Sequence, residues 1–135
     1  MVSKINVLYY ASAATIAIAG ILHLITASNV LGFSLNFFIF FIIAGIAELF
    51  WVVPIIRRWG LPWYYVGIGG TMVLIILFAI TRMPGNPITG RGGPISPMAL
   101  AIEVLQVAFI GLTAAIIIYE SKRIQLSGKT ASEAA

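Results

Sequence analysis

Long apolar stretches separated by short polar breaks set the pattern of this chain. Four of them occupy about residues 7–27, 36–56, 63–81 and 97–119. A helix of about 20 residues rises about 30 Å, which matches the hydrocarbon thickness of a bilayer. The breaks differ in kind. Residues 28–35 form a short connection. Arg57-Arg58-Trp59-Gly60 with Pro62 reads as a tight turn. Residues 83–96 carry Pro84, Pro87 and Pro94 with Gly85, Gly90, Gly92 and Gly93, and such a density of breakers admits no helix or strand.

Each apolar stretch carries one face of small or weakly polar residues. At 100° per residue, Ser12, Thr15, Ala19 and His23 share a face of span 1. Ala44, Gly45 and Glu48 share one on span 2, and Gly67, Gly70 and Thr71 share one on span 3. On span 4 the set is Ala99, Glu103, Gln106 and Ala114. Small residues let helices approach closely inside a membrane, so these faces should turn inward. The expected fold class is therefore all-α, a four-transmembrane-helix bundle forming one membrane domain over residues 1–120. Residues 121–135 read as a polar, disordered cytoplasmic tail.

Composition sharpens this picture. Hydrophobic residues make up 61% of the 135 positions, and the mean hydropathy is +1.06. A soluble domain of this size has no means of hiding so much apolar surface. No cysteine is present, which excludes disulfides, thiolate metal sites and cysteine nucleophiles.

The net charge of +4 lies mostly at span ends and reads as a topology signal, not as a nucleic-acid surface. Lys4, Arg57, Arg58, Lys122, Arg123 and Lys129 fall on one side, against Arg82 and Arg91 on the other. The positive-inside rule then places both termini in the cytoplasm of a multi-pass protein of the cell membrane. Every Trp and Tyr lies in the cytoplasmic halves of the spans. The Gly/Pro-rich connection between spans 3 and 4 then faces outward. Span 1 exceeds the core of a typical signal peptide and reads as retained.

Few polar residues lie inside the spans, and a charge there costs about 3 kcal/mol on insertion scales. His23 sits about one turn below the outer end of span 1, Arg82 closes span 3, and Glu103 sits about two turns into span 4. These three, with Gln106, form a candidate polar site beneath the outer loop. The same residues also read as an ion pair and a hydrogen-bonded histidine tying helices together. Glu48 lies deeper, level with Thr15, Gly67 and Thr71. It reads either as a titratable, proton-carrying or cation-binding carboxylate, or as a hydrogen-bonded bridge to Thr15, Thr71 or a tyrosine.

A metal remains unknown from sequence: His23 and Glu103, with Glu48 or Met98 as further donors, match no established ligand spacing. A single histidine excludes bis-His haem. Thr89-Gly90-Arg91-Gly92-Gly93 reads as a turn or as an anion-cupping backbone segment. No HExxH, GxSxG or phosphate-binding loop is present, and no catalytic residue is assigned.

Thr81-Arg82-Met83-Pro84-Gly85-Asn86-Pro87, followed by Gly90 and then Glu103 in the next span, resembles small uncharacterised four-span prokaryotic membrane proteins. In these an Arg closing span 3 precedes a Gly/Pro loop, and span 4 carries a Glu. The resemblance implies the architecture alone.

The first functional expectation is a non-enzymatic accessory or assembly subunit of a larger membrane complex. Its motives are small size, little mass outside the bilayer and no catalytic motif. The alternative is a small binder or conductor of a proton, cation or small amphiphile that uses the intramembrane His, Glu and Arg residues. A further alternative is a redox-associated subunit holding haem or quinone. No cofactor is assigned from sequence. The expected partners are the lipid bilayer and other integral membrane subunits or further copies of the chain, with no nucleic acid.

Overall fold

Four serine- or glycine-led starts divide the chain into helices. The computed structural model describes residues 3–135, with α1 at Lys4–Val30, α2 at Leu35–Ile56, α3 at Leu61–Arg82 and α4 at Pro97–Ala134. The Ser3, Ser34 and Ser96 hydroxyls accept from the backbone N–H groups of Asn6, Phe37 and Ala99, each three residues on. Each serine thus satisfies one of the donors that a helix start leaves free. Pro62 and Pro97 stand in the first turns of α3 and α4, where a missing N–H costs nothing. Between α2 and α3, Arg58 turns left-handed at φ 53° and Gly60 adopts φ 106°, so the chain reverses within a few residues.

All four helices are long and apolar enough to cross a membrane. Their outer surfaces keep large apolar side chains exposed, among them Ile43, Val66, Val104 and Val107, as contact with lipid requires. Residues 121–135, expected to be a disordered tail, instead continue α4 to Ala134. Gly128 is the one strong breaker in this segment. Glu120 pairs with Arg123 at 3.6 Å, and Lys129 with Glu133 at 3.8 Å. These three- and four-residue spacings favour helix.

The helices pack in cyclic order. α1 lies against both α2 and α4, α3 lies against α4, and the α2–α3 seam is the loosest. Neighbours run antiparallel: Gly20 and His23 of α1 meet Gly45 and Glu48 of α2, while Ser12 and Tyr9 meet Thr113 and Glu120 of α4. α2 and α4 lie across the diagonal.

The core is concentrated at the end where α1 begins. Tyr9, Ala13, Ile16, Ile55, Tyr64, Phe109, Ile116 and Ile117 form one buried cluster there. The Tyr9 hydroxyl donates to Glu120 at 2.5 Å, and its ring meets Tyr64 edge-on. Arg58 lies over the same ring at 4.2 Å and bonds to Asn6. Trp51 Nε1 donates to the Trp63 carbonyl at 3.0 Å.

Gly20 and Gly45 set the spacing of α1 and α2. A Cβ on Gly20 would lie 2.9 Å from the Gly45 carbonyl, and one on Gly45 would lie 2.9 Å from the Gly20 carbonyl. Backbone meets backbone here, so movement of the neighbouring Leu24 and Leu49 side chains alone does not relieve the clash. Gly20→Ala is therefore expected to destabilise the bundle by about 1–3 kcal/mol. Gly111→Ala, where nothing lies within 4 Å, should be neutral or stabilise by up to about 1 kcal/mol through helix propensity. Thermal or denaturant unfolding in one detergent checks the opposite signs.

Candidate functional site

Glu48 lies in the middle of α2 and is 4% exposed. A carboxylate so placed needs donors for both oxygens, and two helices provide them. His23 Nδ1 of α1 lies 2.5 Å from Oε2, and Gln106 Nε2 of α4 donates to Oε1 at 2.7 Å. His23 and Gln106 are themselves buried, at 5% and 0% exposure. The three side chains join α1, α2 and α4, and the Gln106–Glu48 bond spans the α2–α4 diagonal. Gln106 Oε1 has no partner. The His23 ring also stacks on Phe41 at 5.8 Å between centroids.

By depth along the spans, His23 groups with Arg82 and Glu103, and Glu48 stands apart. The structure joins His23 to Glu48 instead. The reason lies in side-chain direction. A helical Cα–Cβ bond tilts toward the helix N-terminus. In antiparallel α1 and α2 the His23 and Glu48 side chains therefore lean toward each other, which closes a gap that counting residues leaves open. Glu48 forms none of the expected bonds to Thr15, Thr71 or tyrosine. The Thr15 hydroxyl donates to the Ser12 carbonyl, and the Thr71 hydroxyl to the Gly67 carbonyl.

Beneath the α3–α4 connection the bundle opens into a cavity of about 1150 Å³. Phe37, Phe40, Phe41, Leu74, Leu77 and Phe78 supply apolar wall. His23, Glu103, Arg82 and Arg91 all line it, so three of the expected site residues share one space. However, among the described residues no ion pair or hydrogen bond joins His23, Arg82 and Glu103 to one another. His23 Nε2 makes no hydrogen bond and is not sealed in protein, so the ring offers a polar atom to the cavity.

A smaller opening of about 230 Å³ lies along the α2–α3 seam, between residues such as Ile43, Val66 and Gly70. It shares Phe40 and Leu74 with the large cavity. Among the described residues no group of three His, Asp or Glu lies together in a way that could hold a metal ion.

The connection above the cavity is organised by Asn86, whose structural role the sequence reading missed. Asn86 is buried. Its Oδ1 accepts from the backbone N–H groups of Ile88 and Thr89, and its Nδ2 faces the carbonyls of Met83 and Arg91 and the Thr89 hydroxyl. The signal was present, because an Asn between Gly85 and Pro87 is a strong turn former. The Gly93 N–H donates to the Thr81 carbonyl at 3.0 Å. Gly92 must be small, since a Cβ there would lie 2.7 Å from the Arg82 carbonyl oxygen, whereas one on Gly93 would meet the movable Arg82 guanidinium at 2.7 Å. Residues 89–93, read as a turn or an anion cup, are thus held against the end of α3.

No protein-family model, curated protein or solved structure matches this chain. The chemistry of the site therefore rests on its geometry.

Glu48→Ala leaves His23 Nδ1 and Gln106 Nε2 without partners and is expected to cost about 1–3 kcal/mol. Gln106→Leu strips Glu48 Oε1 of its donor and should likewise cost about 1–3 kcal/mol, offset in part by removal of the unsatisfied Gln106 Oε1. Unfolding of the purified variants in detergent tests both. Asn86→Asp exchanges an N–H donor for an acceptor facing carbonyl oxygens. Backbone amides of residues 83–96 should then exchange hydrogen at least about tenfold faster, the equivalent of about 1.4 kcal/mol, with exchange in α1 unchanged.

Proposed function

We propose that this protein binds a small amphiphilic molecule within the membrane, in the cavity between the His23–Glu48–Gln106 bridge and the α3–α4 connection. The carrying observation is the cavity itself. Its walls are largely apolar, its charged groups are Arg82, Arg91 and Glu103, and its volume slightly exceeds the roughly 300–1,000 Å³ usual for small-molecule sites. A chain serving only as an assembly subunit has no need of such a space, so the cavity favours binding over the accessory role.

It also favours binding over conduction. Beyond the Glu48 bridge, Tyr9, Ile16, Tyr64, Phe109 and Ile116 are at most 2% exposed and close the bundle. The cavity is blind at that end. The smaller opening on the α2–α3 seam shares Phe40 and Leu74 with the cavity, and an apolar tail laid along these residues reaches lipid. In the orientation that the Lys and Arg distribution supports, both termini are cytoplasmic and the cavity belongs to the outer half of the cell membrane.

Purified protein, stripped of lipid in an uncharged detergent, is mixed with single-chain amphiphiles carrying the same alkyl tail and different heads. At least one should raise the unfolding midpoint, with a stabilisation of about 2.7 kcal/mol at a hundredfold excess over its Kd. Ala99 lines the cavity, and Ala99→Phe should abolish that gain while leaving the unliganded protein folded. A panel in which no amphiphile stabilises the protein, or in which Ala99→Phe responds as the parent does, would sink this reading. So would migration of the native protein solely within a stoichiometric complex whose other subunits fill the cavity.

A further inference from the structure

Two opposite charges face this cavity without meeting. Arg82 ends α3. Its guanidinium lies over the Phe78 ring at 4.5 Å, and its nearest polar contact is a long one, Nη1 to the Thr81 hydroxyl at 3.4 Å. Its Nε is buried and has no partner. Glu103 is half-buried in α4 and makes no hydrogen bond or ion pair among the described residues. An unpaired cation and an unpaired carboxylate in an apolar bundle are both costly. They line the same space, yet among the described residues no hydrogen bond or ion pair joins them.

Their heights differ. Arg82 stands at the end of α3, while Glu103 is six residues into α4, about 9 Å along the helix. The Arg82 side chain leans back toward the α3 N-terminus and that of Glu103 toward the α4 N-terminus, so in adjacent antiparallel helices the two lean toward one another. What satisfies both is a single head that carries an anionic part and an ammonium part. Arg91 adds a second positive charge at the mouth, and its backbone is held by Asn86 and Thr89. Two arginines suit a phosphate, which guanidinium meets through paired hydrogen bonds. One carboxylate below suits a primary ammonium. The tail then leaves along Phe40 and Leu74 into the α2–α3 seam.

From this geometry we infer that the ligand is a zwitterionic amino-phosphate amphiphile, its phosphate held by Arg82 and Arg91 and its ammonium by Glu103. The inference rests on the binding reading above and specifies its ligand.

The test uses the full chain in uncharged detergent and measures Kd by native mass spectrometry. The probes are lysophosphatidylethanolamine, an alkyl phosphate, an alkyl amine, an alkyl maltoside and tail-less O-phosphoethanolamine. The lysolipid should bind about tenfold or more tightly than any singly charged amphiphile, as one charge-assisted hydrogen bond implies. Glu103→Gln should weaken the lysolipid to the level of the alkyl phosphate and leave the alkyl phosphate unchanged, which also shows that the variant is folded. Arg82→Gln should weaken both phosphate-bearing amphiphiles and spare the alkyl amine.

If all four amphiphiles bind alike, or if the alkyl phosphate equals the lysolipid, the head assignment is wrong while amphiphile binding stands. Binding of O-phosphoethanolamine as tight as that of the lysolipid would overturn the need for a tail and retain the head. If nothing binds, both readings fail together.

Discussion

A carboxylate in the middle of an apolar helix is the constraint from which the rest of this bundle follows. Glu48 has no water to turn to, so both of its oxygens must find donors in protein. One donor comes from α1 and the other from α4, and α1 packs against the helices that carry the other two groups. Gly20 and Gly45 let α1 and α2 touch backbone to backbone, and this contact brings His23 within 2.5 Å of Glu48. The bond to Gln106 crosses the diagonal. The polar bridge therefore specifies which helices are neighbours, in what register, and at what distance. Apolar packing in lipid has less power to specify these, because lipid tails compete with side chains for the same contacts.

The bundle is unequal along its length. Where α1 begins, tyrosines and isoleucines fill the space, and Tyr9–Glu120 and Arg58–Asn6 bolt the helices together. Toward the α3–α4 connection the helices leave a cavity, and the bridge marks the boundary between the two halves. The connection keeps its shape through Asn86, which bonds to the turns around it. Because glycines 92 and 93 allow it to press on Arg82, the connection sits at the rim and carries Arg91 with it.

These features make a site whose charges come from three sources: the end of α3, the connection above it, and the second turn of α4. Its apolar walls come largely from the phenylalanines of α2 and the leucines of α3. The opening on the loose α2–α3 seam shares Phe40 and Leu74 with the cavity. Under the proposed function, such an arrangement serves a molecule with one polar end and one apolar end.

Much of this was legible along the chain. Helix number and the inward faces of the first two spans followed from hydropathy and a 3.6-residue period, because lipid exposure leaves each span few ways to place its small and polar residues; on α3, Gly70 is exposed beside buried Gly67 and Thr71, and on α4 only Gln106 of the expected face is fully buried. The faces holding Ser12, Ala19 and His23, and Ala44, Gly45 and Glu48, are indeed buried. Three things were not legible. The extension of α4 beyond Tyr119 depends on local charge pairs and weak helix propensities, which polarity alone does not reveal. The role of Asn86 depends on carbonyls that converge only when the connection folds.

The pairing of His23 with Glu48 depends on which way two antiparallel side chains lean, and a one-dimensional count of depth treats both as points on an axis. Sequence thus limits which residues can face inward, since period and solvent act on each helix separately. Partnership among those residues, and the empty volume beside them, arise only when helices approach, because both are properties of the space between elements.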